Sequence, residues 1–131
     1  MDYYLNLDKN KNYMKTIIAG SRTVSLQDVL KALEFCPFTE RITEVVSGCA
    51  RGADSYGELI AEENSTPIKR FPANWKKFGK RAGPIRNQEM AEYADALIAV
   101  WDGVSSGTSD MIQRAEKNKL KVYVYKTDNT P

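Results

Sequence analysis

Short apolar runs recur along the chain. Each is followed by a glycine-rich or polar turn, and most of those turns lead into a stretch with apolar positions three and four apart. Thr16 to Ala19 ends in Gly20 and reads as a first, buried strand. Ser25 starts a helix, with Asp28 three residues on as its capping partner. Leu26, Val29, Leu30 and Leu33 form the buried face of that helix, and Pro37 stops it. The β-branched run Ile42 to Ser47 predicts a second strand and Ala53 to Glu63 a second helix, with Leu59 and Ile60 toward the core. Pro67 to Phe71 predicts a short third strand. Pro72 to Gly83 is the longest irregular stretch, and Pro84 opens a helix that runs to about Tyr93. The nearly continuous apolar run Ala96 to Trp101 predicts a central strand. A helix over Thr108 to Asn118, with Met111, Ile112 and Ala115 inward, precedes a last strand over Lys121 to Tyr125.

This alternation implies an α/β fold: a five-stranded parallel sheet in the order 3-2-1-4-5, with helices on both faces. The switch point falls between the first and fourth strands. Three turns then share the carboxyl edge, where open α/β sheets take ligands. They are Gly20-Ser21-Arg22, Ser47 to Asp54, and Asp102 to Thr108. Small residues bring backbone N–H groups close to an anion, and the helix that follows adds its positive end. Arg22, Arg51 and Arg86 add charge. Gly20 permits a tight turn, and Ser21 can hydrogen-bond a phosphate or ribose. Gly48 and Gly52 flank Arg51, while Asp54 either caps its helix or contacts the ligand. Asp102, Gly103, Ser105, Ser106, Gly107 and Thr108 offer an acceptor and several donors. Neither a G-x-G-x-x-G fingerprint nor a G-x-x-x-x-G-K-[ST] loop is present.

Composition narrows the chemistry. The chain has 131 residues and no histidine, so triads with an imidazole base and histidine metal sites are excluded. Cys36 and Cys49 are the only thiols and are expected to be reduced; no metal site and no cofactor are expected. Net charge is only +2. Nucleic-acid binding would therefore need a local patch, for which Lys69, Arg70, Lys76, Lys77, Lys80, Arg81 and Arg86 are available. Trp75, inside that stretch, is the better stacking surface for a base; Trp101 ends a strand and suits the core. No run is long enough to span a bilayer, so no membrane partner and a cytoplasmic location are expected. Residues 1–14 form a polar extension, left either without fixed structure or adding an edge strand through Tyr3, Tyr4 and Leu5. Residues 15–126 form the one domain.

Four segments together resemble the YspA-like branch of the SLOG superfamily, which also includes the DNA-processing protein A fold and the LOG-type phosphoribohydrolases. They are Ile17 to Arg22, Ser47 to Asp54, Gly83-Pro84-Ile85-Arg86-Asn87, and Trp101 to Thr108. The resemblance implies a single Rossmann-like domain that binds a nucleotide or nucleotide-derived ligand, as a sensor or effector in bacterial or phage conflict. It also implies a homodimer and adds Arg86 and Asn87 to the site. The hydrolases of the superfamily carry P-G-G-x-G-T-x-x-E and R-K-x-x-M. Here Gly107-Thr108, Arg86 and Met90 match. Gly103 replaces the proline, Asn87 the lysine, and Met111 the catalytic glutamate, with Asp110 one residue early and expected to point away. If the chain cleaves an N-glycosidic bond in a nucleotide, Asp102, Glu89 and Arg86 are the catalytic candidates. Single-stranded DNA binding is a further, less favoured alternative.

Overall fold

A computed structural model describes residues 13–127. The sheet order is β3-β2-β1-β4-β5, and every pairing is parallel, as expected from the sequence. In chain order the strands are β1 (Met14–Gly20), β2 (Ile42–Ser47), β3 (Ile68–Arg70), β4 (Ala96–Trp101) and β5 (Lys121–Lys126). The helices are α1 (Leu26–Phe35), α2 (Ala53–Glu63), the single turn α3 (Trp75–Phe78), α4 (Ala82–Tyr93) and α5 (Ser106–Lys117). β1 takes in the buried Met14, one residue before the expected domain start. The edge strand considered for Tyr3, Tyr4 and Leu5 lies outside the described residues.

β4, between β1 and β5, is apolar throughout because both its faces are covered, and the buried positions of β1 and β2 are mostly apolar. Ile18, Val45, Ile98 and Val100 point to one side, where Val29 and Ala32 of α1 and Ala53 and Ala61 of α2 meet them. Ile17, Ala19, Val46, Leu97 and Ala99 point to the other, against Met90 and Ala91 of α4 and Met111 and Ala115 of α5. The α1 start is a full capping box: the Ser25 hydroxyl accepts from the Asp28 amide at 3.1 Å, and the Asp28 carboxylate accepts from the Ser25 amide at 2.9 Å. Gly57 lies inside α2 because a Cβ there would stand 2.9 Å from Ile18 Cγ2, so its absence lets the helix sit close on β1.

Several expectations are corrected. Leu30 is 41% exposed and Leu59 44% exposed, since the stripes that touch the sheet run through Val29 and Ala32 and through Gly57 and Ala61. The stretch from Pro72 to Gly83 is not irregular. Asn74 caps α3, accepting from the Lys77 amide at 3.1 Å. A 3-10 turn over Gly79–Arg81 then runs into α4, which starts two residues before Pro84.

At the switch point β1 and β4 approach closely. A Cβ on Gly20 would stand 2.0 Å from the Val100 carbonyl oxygen, while one on Gly107 would meet nothing within 4 Å. We therefore expect Gly20→Ala to lower stability by about 2 kcal/mol or more through overpacking. Gly107→Ala should change it by less than about 0.5 kcal/mol. Urea unfolding of the two variants checks this.

Candidate functional site

The three turns converge on one cleft of about 920 Å³ at the carboxyl edge of the sheet, together with the start of α4 and the α3 segment. Backbone packing fixes the first and third turns to each other. The Ser21 amide donates to the Val100 carbonyl at 3.0 Å, and the Asp102 amide donates to the Ser21 hydroxyl at 3.1 Å. The second turn closes over the first, because Gly52 sits at φ +79° with its Cα face against the Ser21 and Arg22 backbone.

α4 joins the second and third turns. The Arg86 guanidinium donates from Nη1 to the Gly48 carbonyl and from Nε to the Asn87 side-chain oxygen at 3.0 Å. Asn87, buried, donates to Asp110 Oδ2 at 2.9 Å and to the Gly107 carbonyl at 3.4 Å. Arg114 ion-pairs with the same Asp110 oxygen at 2.9 Å and reaches back to Gln88 of α4. Arg86 and Asn87 are thus framework as well as cleft wall.

Asp54 is 4% exposed and lines the cleft from the first turn of α2. Its Oδ2 accepts from the Gly48 amide at 3.1 Å and the Ala50 amide at 3.4 Å, which sets the course of the Gly48–Gly52 turn. Burial pushes its pKa up to about 6, opposed in part by Arg86 and by these amides. Asp102 is held below the usual carboxylate range, chiefly because Oδ1 accepts from the Ser105 amide at 2.7 Å and the Val104 amide at 2.9 Å. A carboxylate stabilised in this way is a weak base. Partial burial and the nearby Glu58 push the Cys49 thiol up, which disfavours the reactive thiolate.

The start of α5 is open. Ser105, its N-cap residue, makes no side-chain cap hydrogen bond. The first amides of any helix have no partner within it, and here Ser106, Gly107 and Thr108 line the cleft. The Thr108 hydroxyl is buried and bonds the Ser105 hydroxyl at 3.3 Å. Arg22, Arg51 and Lys80 bring positive charge to the same space. Trp75, 53% exposed, closes one side, and its ring lies 3.4 Å from where a Cβ on Gly83 would be.

Of the expected residues, Gly20, Arg22, Gly48, Arg51, Asp54, Trp75, Arg86, Asn87, Asp102, Ser105, Ser106, Gly107 and Thr108 line this cleft. Four do not. Ser21 is buried, with its hydroxyl given to the Asp102 amide. Gly52 packs on the first turn, and Gly103, at φ +84°, lies beside the Lys126 side chain. Glu89 is exposed on α4 outside the cleft. Asp110, expected to point away, does line the cleft, with one oxygen held by Asn87 and Arg114. Trp101 donates from Nε1 to the Ser105 carbonyl at 3.0 Å and holds the third turn. The basic stretch divides: Arg70 pairs with Glu58 at 2.9 Å, and Lys69 lies over the Phe71 and Tyr93 rings, away from the cleft-lining Lys80. Lys80 and Met90 were not among the residues first assigned to the site, although both line it. Among the described residues there is no acidic, cysteine or histidine cluster able to hold a metal ion, and no helix long and apolar enough to cross a membrane.

Because the folded state holds the Asp54 proton more tightly than an ordinary carboxyl with a value of 3.8, the group adds stability at low pH that is lost as pH rises toward about 6. We expect Asp54→Asn, which keeps an oxygen for the two amides, to remove this dependence. The stability gap between wild type and variant should move by about 2.5 kcal/mol in the variant's favour between pH 4 and 7, at about 1.4 kcal/mol per tenfold in proton affinity. Denaturant melts across that range measure it.

Comparison with known proteins supplies a likeness in sequence and a likeness in fold. Over 85 residues the chain is 39% identical to the Gene 61 protein of Mycobacterium phage D29, a match covering 60% of this chain and 67% of the phage protein. The X-ray structure of DNA processing protein A (DprA) from Streptococcus pneumoniae superposes with a TM-score of 0.68 over 92% of this chain, at 20% identity, which is a likeness of fold. The chain spans 52% of that DprA chain. No protein-family model matches the sequence.

Proposed function

The chain belongs to the family of the phage Gene 61 protein, and within that family we propose that its cleft binds a nucleotide or nucleotide-derived phosphorylated ligand. The observation that carries this reading is the uncapped first turn of α5, open at Gly107 and facing the same space as Arg22, Arg51 and Arg86. A phosphate seats on the amides of residues 106–108, where the helix dipole favours negative charge. The arginines of the other two turns complete its shell, and a base stacks on Trp75. The role is recognition, as a sensor or effector, in a chain we place in the YspA-like branch of the SLOG superfamily on its four motifs. A homodimer belongs to the same proposal, and light scattering reads it.

Turnover has weaker support. Cleavage of an N-glycosidic bond needs a carboxylate poised to activate water or stabilise an oxocarbenium ion. Asp102 is anchored by two amides and Asp110 by Asn87 and Arg114, while Glu89 is outside the cleft.

A second reading, single-stranded DNA, has one observation in its favour. Trp75, Lys76, Lys77, Lys80 and Arg81 are all exposed on the short helical segment at the cleft rim. The name of the structural neighbour, DNA processing protein A, points the same way.

Calorimetry against AMP, ADP, ADP-ribose, 3′,5′-cyclic AMP and a short oligothymidylate separates these readings. We expect one of the small nucleotides to bind. Arg51→Ala or Arg22→Ala should weaken it about tenfold or more through a lost charge-assisted hydrogen bond. Trp75→Ala should cost about tenfold through lost stacking. Binding of the oligothymidylate alone, with a steep fall in salt, would select the second reading. Silence from the whole panel rejects both.

A further inference from the structure

Asp54 is an unusual group to build into the wall of an anion site. Its carboxyl is buried, and it faces the cleft. Asp54 Oδ2 and Arg86 Nη1 both lie within 3 Å of the point where a Cβ on Gly48 would stand. Yet the two do not close an ion pair. Among the described residues the ion pairs are Arg70 with Glu58 and Arg114 with Asp110. Arg86 instead donates to the Gly48 carbonyl and to Asn87, and Asp54 instead accepts from the Gly48 and Ala50 amides. The second turn is therefore held between a buried acid and a cation that do not neutralise each other by direct contact.

We propose that Asp54 makes anion binding in this cleft proton-linked: the site takes up a phosphorylated ligand together with one proton on the Asp54 carboxyl. The ligand then meets a neutral acid beside a cationic Arg86. Without the proton it meets a further negative charge in the cleft wall, buried where solvent screens it poorly. The proton comes from solvent and returns there when the ligand leaves. The inference rests on the reading of the cleft as an anion site.

The surroundings leave Asp54 as the group that sets the coupling. Arg86 faces it from α4, and the Cys49 thiol, beside the same turn, is pushed up, away from its charged form. Glu58, one turn along α2, is bonded to Ser47 and paired with Arg70 from β3. Arg22 and Arg51 add positive charge from the first and second turns. Across the cleft Asp102 is held down by amides, and Asp110 is tied to Arg114. The sequence has no histidine, so no imidazole titrates in the same range. The elevated proton affinity of Asp54 puts its transition near pH 6, where a modest change in pH alters its charge.

The test uses probes whose phosphates do not titrate near that pH: ADP-ribose and a short oligothymidylate, both carrying only diester or pyrophosphate linkages. Titration calorimetry from pH 5.5 to pH 8 should show affinity falling about tenfold overall for whichever probe binds. At pH 7, titrations of the full chain in MES and in Bis-Tris should give heats that differ in proportion to buffer ionisation enthalpy, reporting uptake of up to one proton. Asp54→Asn should bind with a flat profile and no buffer dependence. The buffer comparison on the unaltered protein stands even if that variant fails to fold. Tight binding with a flat pH profile and equal heats in both buffers would overturn the inference while leaving the anion site intact. A pH slope that persists in a folded Asp54→Asn would also overturn it. No binding of either probe at any pH would overturn both the inference and the reading beneath it.

Discussion

The cleft depends on how closely the chain can leave β1 beside β4. Gly20 lies against the Val100 carbonyl with no room for a side chain, and the next residue turns its amide onto that carbonyl and its hydroxyl toward the Asp102 amide. The first and third turns are therefore joined by backbone at the switch point itself. The second turn follows, because Gly52 can fold down over Ser21 and Arg22 only at a positive φ. These are contacts of small residues and main chain. Charge enters afterwards, on a frame whose spacing is already fixed.

α4 makes that frame polar and rigid. Arg86 and Asn87 are adjacent in sequence and face different turns, so one stretch of helix ties the Gly48 carbonyl to Gly107 and Asp110. Among the described residues, no buried side-chain polar atom lacks a hydrogen-bond partner. Such a network is costly to leave half satisfied, which favours a single arrangement of the wall. It also divides labour. Arg86 spends donors on structure, whereas Arg22 and Arg51, both exposed, stand at the rim.

The sheet could be read from the sequence because burial on both faces writes an unbroken apolar run into Ala96 to Trp101, and β-branched residues mark Ile42 to Ser47. Helix faces were read less well. Periodicity shows which side of a helix is apolar but not which residues of that side reach the sheet, so Leu30 and Leu59 were placed inward when smaller neighbours make the contact. The region of α3 was hidden by its lysines and by Gly79. Only Asn74, a possible cap, could have signalled a helical turn there. At the site, residue type and position brought thirteen of the expected residues to one cleft. Direction was not legible. Ser21 and Glu89 have suitable chemistry, yet one is consumed by a neighbouring amide and the other faces outward. Asp54 suggests a cap or a ligand contact from sequence, and its grip on the Gly48 and Ala50 amides is visible only in the folded turn.

That grip has a consequence for how such a protein can diversify. The course of the Gly48–Gly52 turn is dictated from its ends: by the Asp54 carboxyl, by Arg86 on the Gly48 carbonyl, and by the crowding that forbids a side chain at Gly52. Cys49 is constrained chiefly in backbone, at φ +64°, a conformation that asparagine and glycine adopt readily, with its thiol reaching the Ser47 carbonyl at 3.9 Å. Ala50 and Arg51 are fixed through main chain alone, so what protrudes there can be exchanged while the loop keeps its shape. Homologues can thus retain the anchors and drift at the tip, acquiring new preferences without rebuilding the scaffold.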